Sequence, residues 1–250
     1  MKVISVVSRK GGVGKTATAG ALGAGLQKRG YIVLYIDLDS QYNLSSGLAA
    51  STTGYSSMDL LTGTADLQQV IQHTPHGDII AGSEDLAGAD ASITGNGKEY
   101  RLRNALEEVK SIYDYVIIDT PAALGVLTVN ALTAATQALI PVQADIDSLL
   151  GLVQLKKAVD AVKQYCNKKL TIAGILITRY SGRAIISRDM QYNLEEAAQQ
   201  LDTKLYSTPI RECIAMKEAK AQQADIFSYA PRSNAAKDYD SFINEFLQEG

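Results

Sequence analysis

Residues 8–16 read SRKGGVGKT. Glycines at 11, 12 and 14 carry no Cβ, so the backbone there can curl until several N–H groups face one anion. Lys15 follows as a point charge, and Thr16 brings a hydroxyl of the kind that holds Mg²⁺. This set of groups suits the β- and γ-phosphates of a nucleoside triphosphate. Two features are unusual. The pattern G-x-x-x-x-G-K-[ST] places a glycine five positions before Gly14, where this chain has Arg9, and a second lysine, Lys10, precedes the glycines.

Three carboxylates extend the set. Asp119 closes the apolar run YVIID, where a carboxylate is costly to bury unless it faces a cation. Water-bridged or outer-sphere coordination of the same Mg²⁺ is its natural role. Asp39, in IDLDS, follows a second apolar run and can orient or deprotonate a water in line with a γ-phosphate. Asp37 is placed to support the loop and the metal's waters. The plainer alternative for Asp37 and Asp39 is a solvated strand end with capping.

The elements that position these groups alternate. VISVV (3–7) reads as a strand, the glycine loop follows, and a small-residue helix then ends at Gly30. Further strands are expected at 31–37, 77–82, 115–121, 137–143 and 170–178. Helices are expected at 101–112, 148–165, 188–201, 211–223 and 233–248. Continuous apolar strands separated by helices predict an α/β fold, a mainly parallel twisted sheet with helices on both faces. Ligands in such sheets sit at the carboxyl ends of the strands. Residues 1–250 read as one domain, and the Gly/Ser/Thr-rich stretch 45–64 as a mobile loop within it.

Composition narrows the class. Hydrophobic residues make up 46% and charged residues 20%, as in ordinary globular chains, and no apolar run reaches the roughly 20 residues that span a bilayer. Cys166 and Cys213 are far apart and lack metal-ligand spacing, which fits a reduced cytoplasmic protein. The net charge of -3 is unevenly divided: residues 1–150 carry -5 and residues 151–250 carry +2. The second part is therefore the better side for a polyanion.

The motifs resemble those of the ParA/MinD group of P-loop ATPases, and within it the Soj-like ParA DNA-partition ATPases. KGGVGKT (10–16) resembles their deviant Walker A motif, IDLDSQYNLSSGL (36–48) their first switch segment, and IIAGSEDLAGAD (79–90) a segment near their third strand. YDYVIIDTPAALGVLTVNALTAA (113–135) is similar to their Walker B region, and 139–155 and 208–219 also resemble family segments. The resemblance implies ATP and Mg²⁺ as cofactors, bound by Lys10, Gly11, Gly12, Val13, Gly14, Lys15, Thr16 and Ala17. It implies that Lys10 reaches across an ATP-sandwich homodimer to the partner's phosphates, which would explain the second lysine. It makes Lys10, Lys15 and Asp39 catalytic, and gives Thr16, Asp39 and Asp119 to the metal. Thr178, Arg179, Pro209, Ile210 and Arg211 match places that hold the adenine. Ala17 stands where the family has a threonine, and Ser40 and Tyr42 replace a proline and a glycine after Asp39.

The same resemblance implies a weak ATPase whose ATP-bound dimer binds double-stranded DNA without sequence preference, at the nucleoid. A ParB-type centromere-binding partner would stimulate hydrolysis and release the DNA. Arg183 and Arg188 are the candidate DNA contacts, with Lys204, Arg211, Lys217 and Lys220 nearby in sequence. The alternative is a positioning ATPase for a protein cargo without DNA binding. The tail SFINEFLQEG lacks lysine, so membrane attachment is not expected. About nine residues precede the loop, so an N-terminal helix-turn-helix domain is not expected either.

Overall fold

A computed structural model of the chain describes residues 1–181 and 187–248. In chain order the strands are β1 (Lys2–Val6), β2 (Val33–Asp37), β3 (Ile71–Thr74), β4 (Gly77–Ile80), β5 (Tyr115–Asp119), β6 (Gln137–Val142) and β7 (Thr171–Ile177). The helices before β5 are α1 (Lys15–Gln27), α2 (Asn43–Gly47), α3 (Ser57–Thr62), α4 (Leu67–Val70), α5 (Ala89–Ser92) and α6 (Arg101–Leu106). After β5 come α7 (Val126–Ala134), α8 (Ile146–Tyr165), α9 (Ser187–Gln200), α10 (Ala215–Ala221), α11 (Ile226–Tyr229) and α12 (Asn234–Leu247).

The sheet order is β3-β4-β2-β5-β1-β6-β7, parallel throughout except for the β3–β4 hairpin. The parallel strands match the expected apolar runs, because a strand covered on both faces carries apolar side chains at every position. Val3 faces a core built with α3, α6 and α7, while Ile4 and Val6 face one built with α1 and α12. Val7, Ile140 and Val142 join a third core under α8 and α9. The chain turns back on itself beside β1, between β5 and β6, and the glycine loop leaves β1 at that point.

α1 comes unusually close to its neighbours, and its glycines allow it. A Cβ at Gly23 would run into the Tyr35 ring, and one at Gly25 into Ile243 of α12. α12 buries Ala235, Ala236, Tyr239, Phe242, Ile243 and Phe246 on one face, at helical spacing. Ser233 caps it by accepting from the Ala236 N–H.

Two expectations are corrected. Strand β3 has no apolar signature: IQHT is half-exposed at the sheet edge and pairs antiparallel with β4. The stretch 45–64 is not one open loop. It contains the end of α2 and all of α3, and Ser45, Ser56 and Ser57 are buried. Their hydroxyls make hydrogen bonds that a small polar side chain alone can make in so little space.

Candidate nucleotide site

The glycine loop adopts the conformation its sequence allows. Gly12 and Gly14 have φ of 76° and 86°, and a Cβ on Gly11 or Gly12 would meet open space rather than protein. The hollow above the loop is therefore bounded by backbone, as a phosphate cradle must be. The loop is clasped by the two residues that follow β7. Thr178 donates from Oγ1 to the Val13 carbonyl at 2.6 Å, and Arg179 donates from Nη1 to the Gly12 carbonyl at 3.1 Å. Arg179 also pairs with Glu212 at 2.8 Å.

Lys15 opens α1 and is 7% exposed. Burial pulls its ammonium below the usual lysine range, while Asp119 and Asp39 pull the other way. Asp119 is fully buried, and neither carboxylate oxygen accepts a hydrogen bond from the described residues. Burial and the neighbouring Asp37 push its carboxyl well above the ordinary carboxylate range. The Thr16 hydroxyl and Lys15 lower it, too weakly to win.

Asp37 and Asp119 are register partners on the adjacent strands β2 and β5. Strand spacing of about 4.8 Å implies a repulsion of roughly 3 kcal/mol between two ionised carboxylates at an effective dielectric near 20. The two are not equivalent. Asp37 accepts from the Ser45 N–H, the Ser45 hydroxyl and the Asp39 N–H, at 2.8 to 3.1 Å. Burial raises the Asp37 carboxyl as well, and these bonds pull it back without reversing the shift, support that Asp119 lacks among the described residues. Asp37, the last residue of β2, therefore holds the segment that carries Asp39.

Asp39 is half-buried and accepts from the Gln41 N–H through Oδ1 at 3.0 Å. The turn that follows runs through Tyr42 at φ 37°, ψ 40°, a left-handed conformation glycine adopts freely and tyrosine resists.

Magnesium fits these residues. Among them no group of three His, Cys, Asp or Glu side chains could hold a metal ion. Mg²⁺ with a nucleotide needs no such cage, because phosphates and waters fill most of its octahedron. The bare, buried carboxylate of Asp119 and the Thr16 hydroxyl beside it are the protein groups that would meet it.

Several expected residues have partners within the chain. Lys10 donates to Asp145, the N-cap of α8, at 2.5 Å, and lies 3.9 Å from Asp147. Arg211 makes a two-pronged pair with Asp238 of α12, at 2.8 and 2.6 Å. Ile210 is buried, and its N–H continues the β7 edge by donating to the Ile177 carbonyl. Pro209 lines a cavity of about 580 Å³ beside α9, with Tyr180, Glu195 and Lys204. Arg183 lies outside the described residues, and Arg188 is described only by its backbone in the first turn of α9. Sequence reasoning missed Ser45, Asp145 and Asp238, and also Tyr239, whose hydroxyl lies 3.2 Å from that of Thr18 in α1.

A parallel sheet with a glycine loop after its central strand, a buried lysine and a bare strand-end aspartate defines a P-loop nucleotide-binding protein. A family described as an AAA domain matches residues 1–172. Sporulation initiation inhibitor protein Soj of Bacillus subtilis is 37% identical over 100% of this chain and 99% of its own. Chromosome-partitioning ATPase Soj of Treponema pallidum is 34% identical over 98% and 97%. A structure named cobyrinic acid a,c-diamide synthase from Mycobacterium smegmatis, with bound ADP and magnesium, superposes with a TM-score of 0.86. It shares 31% identity and covers 100% of this chain and 95% of that one. The chain belongs to the Soj/ParA family of P-loop ATPases.

Proposed function

We propose that this protein is an ATP-hydrolysing switch for DNA segregation. The observation that carries the ATPase reading is Asp119: a fully buried carboxylate that accepts no hydrogen bond from the described residues, set beside Lys15 and Thr16. Such a group is unfavourable alone and favourable against a cation. When bound, magnesium nucleotide supplies that positive charge and the phosphate to be cleaved. The backbone N–H groups of the loop and Lys15 then bind the phosphates. Asp39, with Oδ1 taken by the Gln41 N–H, uses Oδ2 to orient a water and accept its proton. Lys10 leaves Asp145 and turns to the nucleotide of a second copy, so the active dimer forms only with ATP. The names of relatives that match over nearly their whole length support chromosome partition as the cargo system; a ParB-type protein as activator follows from the resemblance of the motifs to the family.

One observation favours the runner-up, a positioning ATPase for a protein cargo. Two residues near the expected DNA face are engaged within the chain: Arg211 with Asp238, and Lys220 with Asn43 at 2.5 Å. DNA binding by the purified protein decides between them. Double-stranded DNA of unrelated sequences is titrated with ATP, ADP or no nucleotide over a range of salt. Binding that is strongest with ATP and equal across sequences is expected; no binding in any state overturns the DNA reading in favour of protein cargo.

A further inference from the structure

Asp238 takes three donors from a single residue. Its carboxylate accepts from the Arg211 N–H at 3.0 Å, from Nε at 2.8 Å and from Nη2 at 2.6 Å. The Asp238 side chain is 9% exposed and that of Arg211 45%. A charge-assisted fork of this kind fixes orientation as well as adding energy. α12 is already anchored by the apolar face it buries, so the fork acts chiefly on Arg211.

Arg211 stands beside the glycine loop. Thr178 and Arg179 grip two loop carbonyls, Tyr180 pairs in parallel with Arg211, and Tyr239, next to Asp238, meets Thr18 in the first turn of α1. Strand β1 has β5 on one side and β6, then β7, on the other. The β5 side carries Asp119, with Asp37 and Asp39 beyond it, and is the side for metal and water. Ligands of parallel sheets lie at the carboxyl ends of the strands, so a nucleotide with its phosphates in the loop has the β7 side left for its base.

Among the described residues the backbone donors on that side are taken. Pro209 has no N–H. Those of Ile210 and Glu212 go to the Ile177 and Tyr180 carbonyls at 2.8 and 3.2 Å, and that of Arg211 goes to Asp238 together with the guanidinium. The Pro209 and Arg211 carbonyls accept no hydrogen bond from the described residues. The stretch therefore offers a base acceptors and no backbone donor. An amino group at position 6 of a purine suits such acceptors. An oxo group there meets only other acceptors, and a polar group left unpaired in a site is rejected strongly.

We propose that Asp238 is a positioning residue that gives the site its preference for a 6-aminopurine nucleotide over a 6-oxopurine one. It holds the N–H and guanidinium of Arg211 away from the base, where they would welcome an oxo group. The inference rests on the ATPase reading and adds to it the residue that selects the base.

Calorimetry measures binding of ATP, inosine triphosphate and inorganic tripolyphosphate, each with magnesium, to wild type and Asp238→Asn, with thermal melting alongside. Asparagine keeps the shape of Asp238 but loses the charge that holds the guanidinium. Wild type should bind ATP about 100-fold more tightly than inosine triphosphate, and in Asp238→Asn that ratio should fall about tenfold while tripolyphosphate affinity is unchanged. A purely structural role would weaken both nucleotides alike and leave the ratio where it was. The double variant Asp238→Asn, Arg211→Met lacks the freed guanidinium and should recover the ratio. If Asp238→Asn melts below the assay temperature, Asp238→Glu, which keeps the charge, should show the fall in smaller measure. An unchanged ratio in both single variants, or equal binding of the two nucleotides by wild type, would overturn the role of Asp238 and leave the ATPase reading standing. No binding of any of the three ligands by wild type would overturn both.

Discussion

The Lys10 ammonium stands 2.5 Å from the Asp145 carboxylate, a pair 135 residues apart in sequence that joins the glycine loop to the cap of α8. Despite desolvation, the hydrogen bonds from Lys10 and Ser148 hold the Asp145 carboxyl below its usual range. Both partners are partly exposed, at 24% and 36% of their side chains, so solvent screens the pair and its worth to stability is small, about 1 kcal/mol or less. Its effect is on where Lys10 points. Asp145→Asn keeps an oxygen for the Ser148 N–H and removes the charge that holds the lysine. We expect self-association at lower ATP concentration, with little change in melting temperature, measured by light scattering and calorimetry. Lys10→Ala should bind nucleotide but fail to dimerise, whereas Lys15→Ala should lose nucleotide binding itself. A Lys10→Ala protein that dimerises normally with ATP contradicts the role given to Lys10.

Asp39→Ala should bind ATP with near wild-type affinity and hydrolyse it about 100-fold more slowly or worse, since it removes a general base and leaves the cradle intact. Size-exclusion chromatography with ATP should show a persistent dimer. Hydrolysis at the wild-type rate would remove Asp39 from the reaction.

Asp119 sets a pH dependence of stability. Its carboxyl is raised by burial and by Asp37, so the folded chain holds a proton that the unfolded chain has already released. Stability of the nucleotide-free protein should thus be fullest below the ordinary aspartate value of 3.8 as far as this group is concerned. It should be lost as pH rises through the raised value. Asp119→Asn should flatten that decline, and magnesium nucleotide should also flatten it in the wild type. Melting temperatures across pH 5 to about 9 would show this; parallel wild-type and variant curves would rule it out.

Tyr42 in the left-handed region costs about 1–2 kcal/mol, and glycine's extra freedom when unfolded costs roughly 0.5–1 kcal/mol. Tyr42→Gly should therefore stabilise the protein by up to about 1 kcal/mol. Gly23→Ala should do the reverse, by about 1–3 kcal/mol, because Tyr35 has no room to retreat. Urea unfolding of the two variants gives both signs directly.

What was legible in the sequence follows from what is local. The six parallel strands show as apolar runs, and Gly30, at φ 88°, ends α1 where it was expected to. The glycine loop, Lys15 and Asp119 were legible because their spacing is the chemistry. Helix α7 was not, since VLTVNALTA is buried almost all round and shows no periodicity. Ser45 looked like loop material by composition, and only the fold reveals it as the donor that fixes Asp37. Asp145 and Asp238 act through Lys10 and Arg211, 135 and 27 residues away, and no short motif carries such a pairing.

The clasp on the loop also orders events in time. The loop lies at 10–16, yet each group that shapes it comes much later in the chain. β5 and β6 flank β1, Asp145 takes Lys10, Thr178 and Arg179 grip two loop carbonyls, and Tyr239 meets Thr18. On a ribosome, Gly12 and Val13 would emerge and wait for more than 160 others before Thr178 and Arg179 could grip them. ATP cannot template a half-made chain of this kind. Nucleotide rewards only a finished fold, and refolding from denaturant should be slow, limited by these distant pairings rather than by α1.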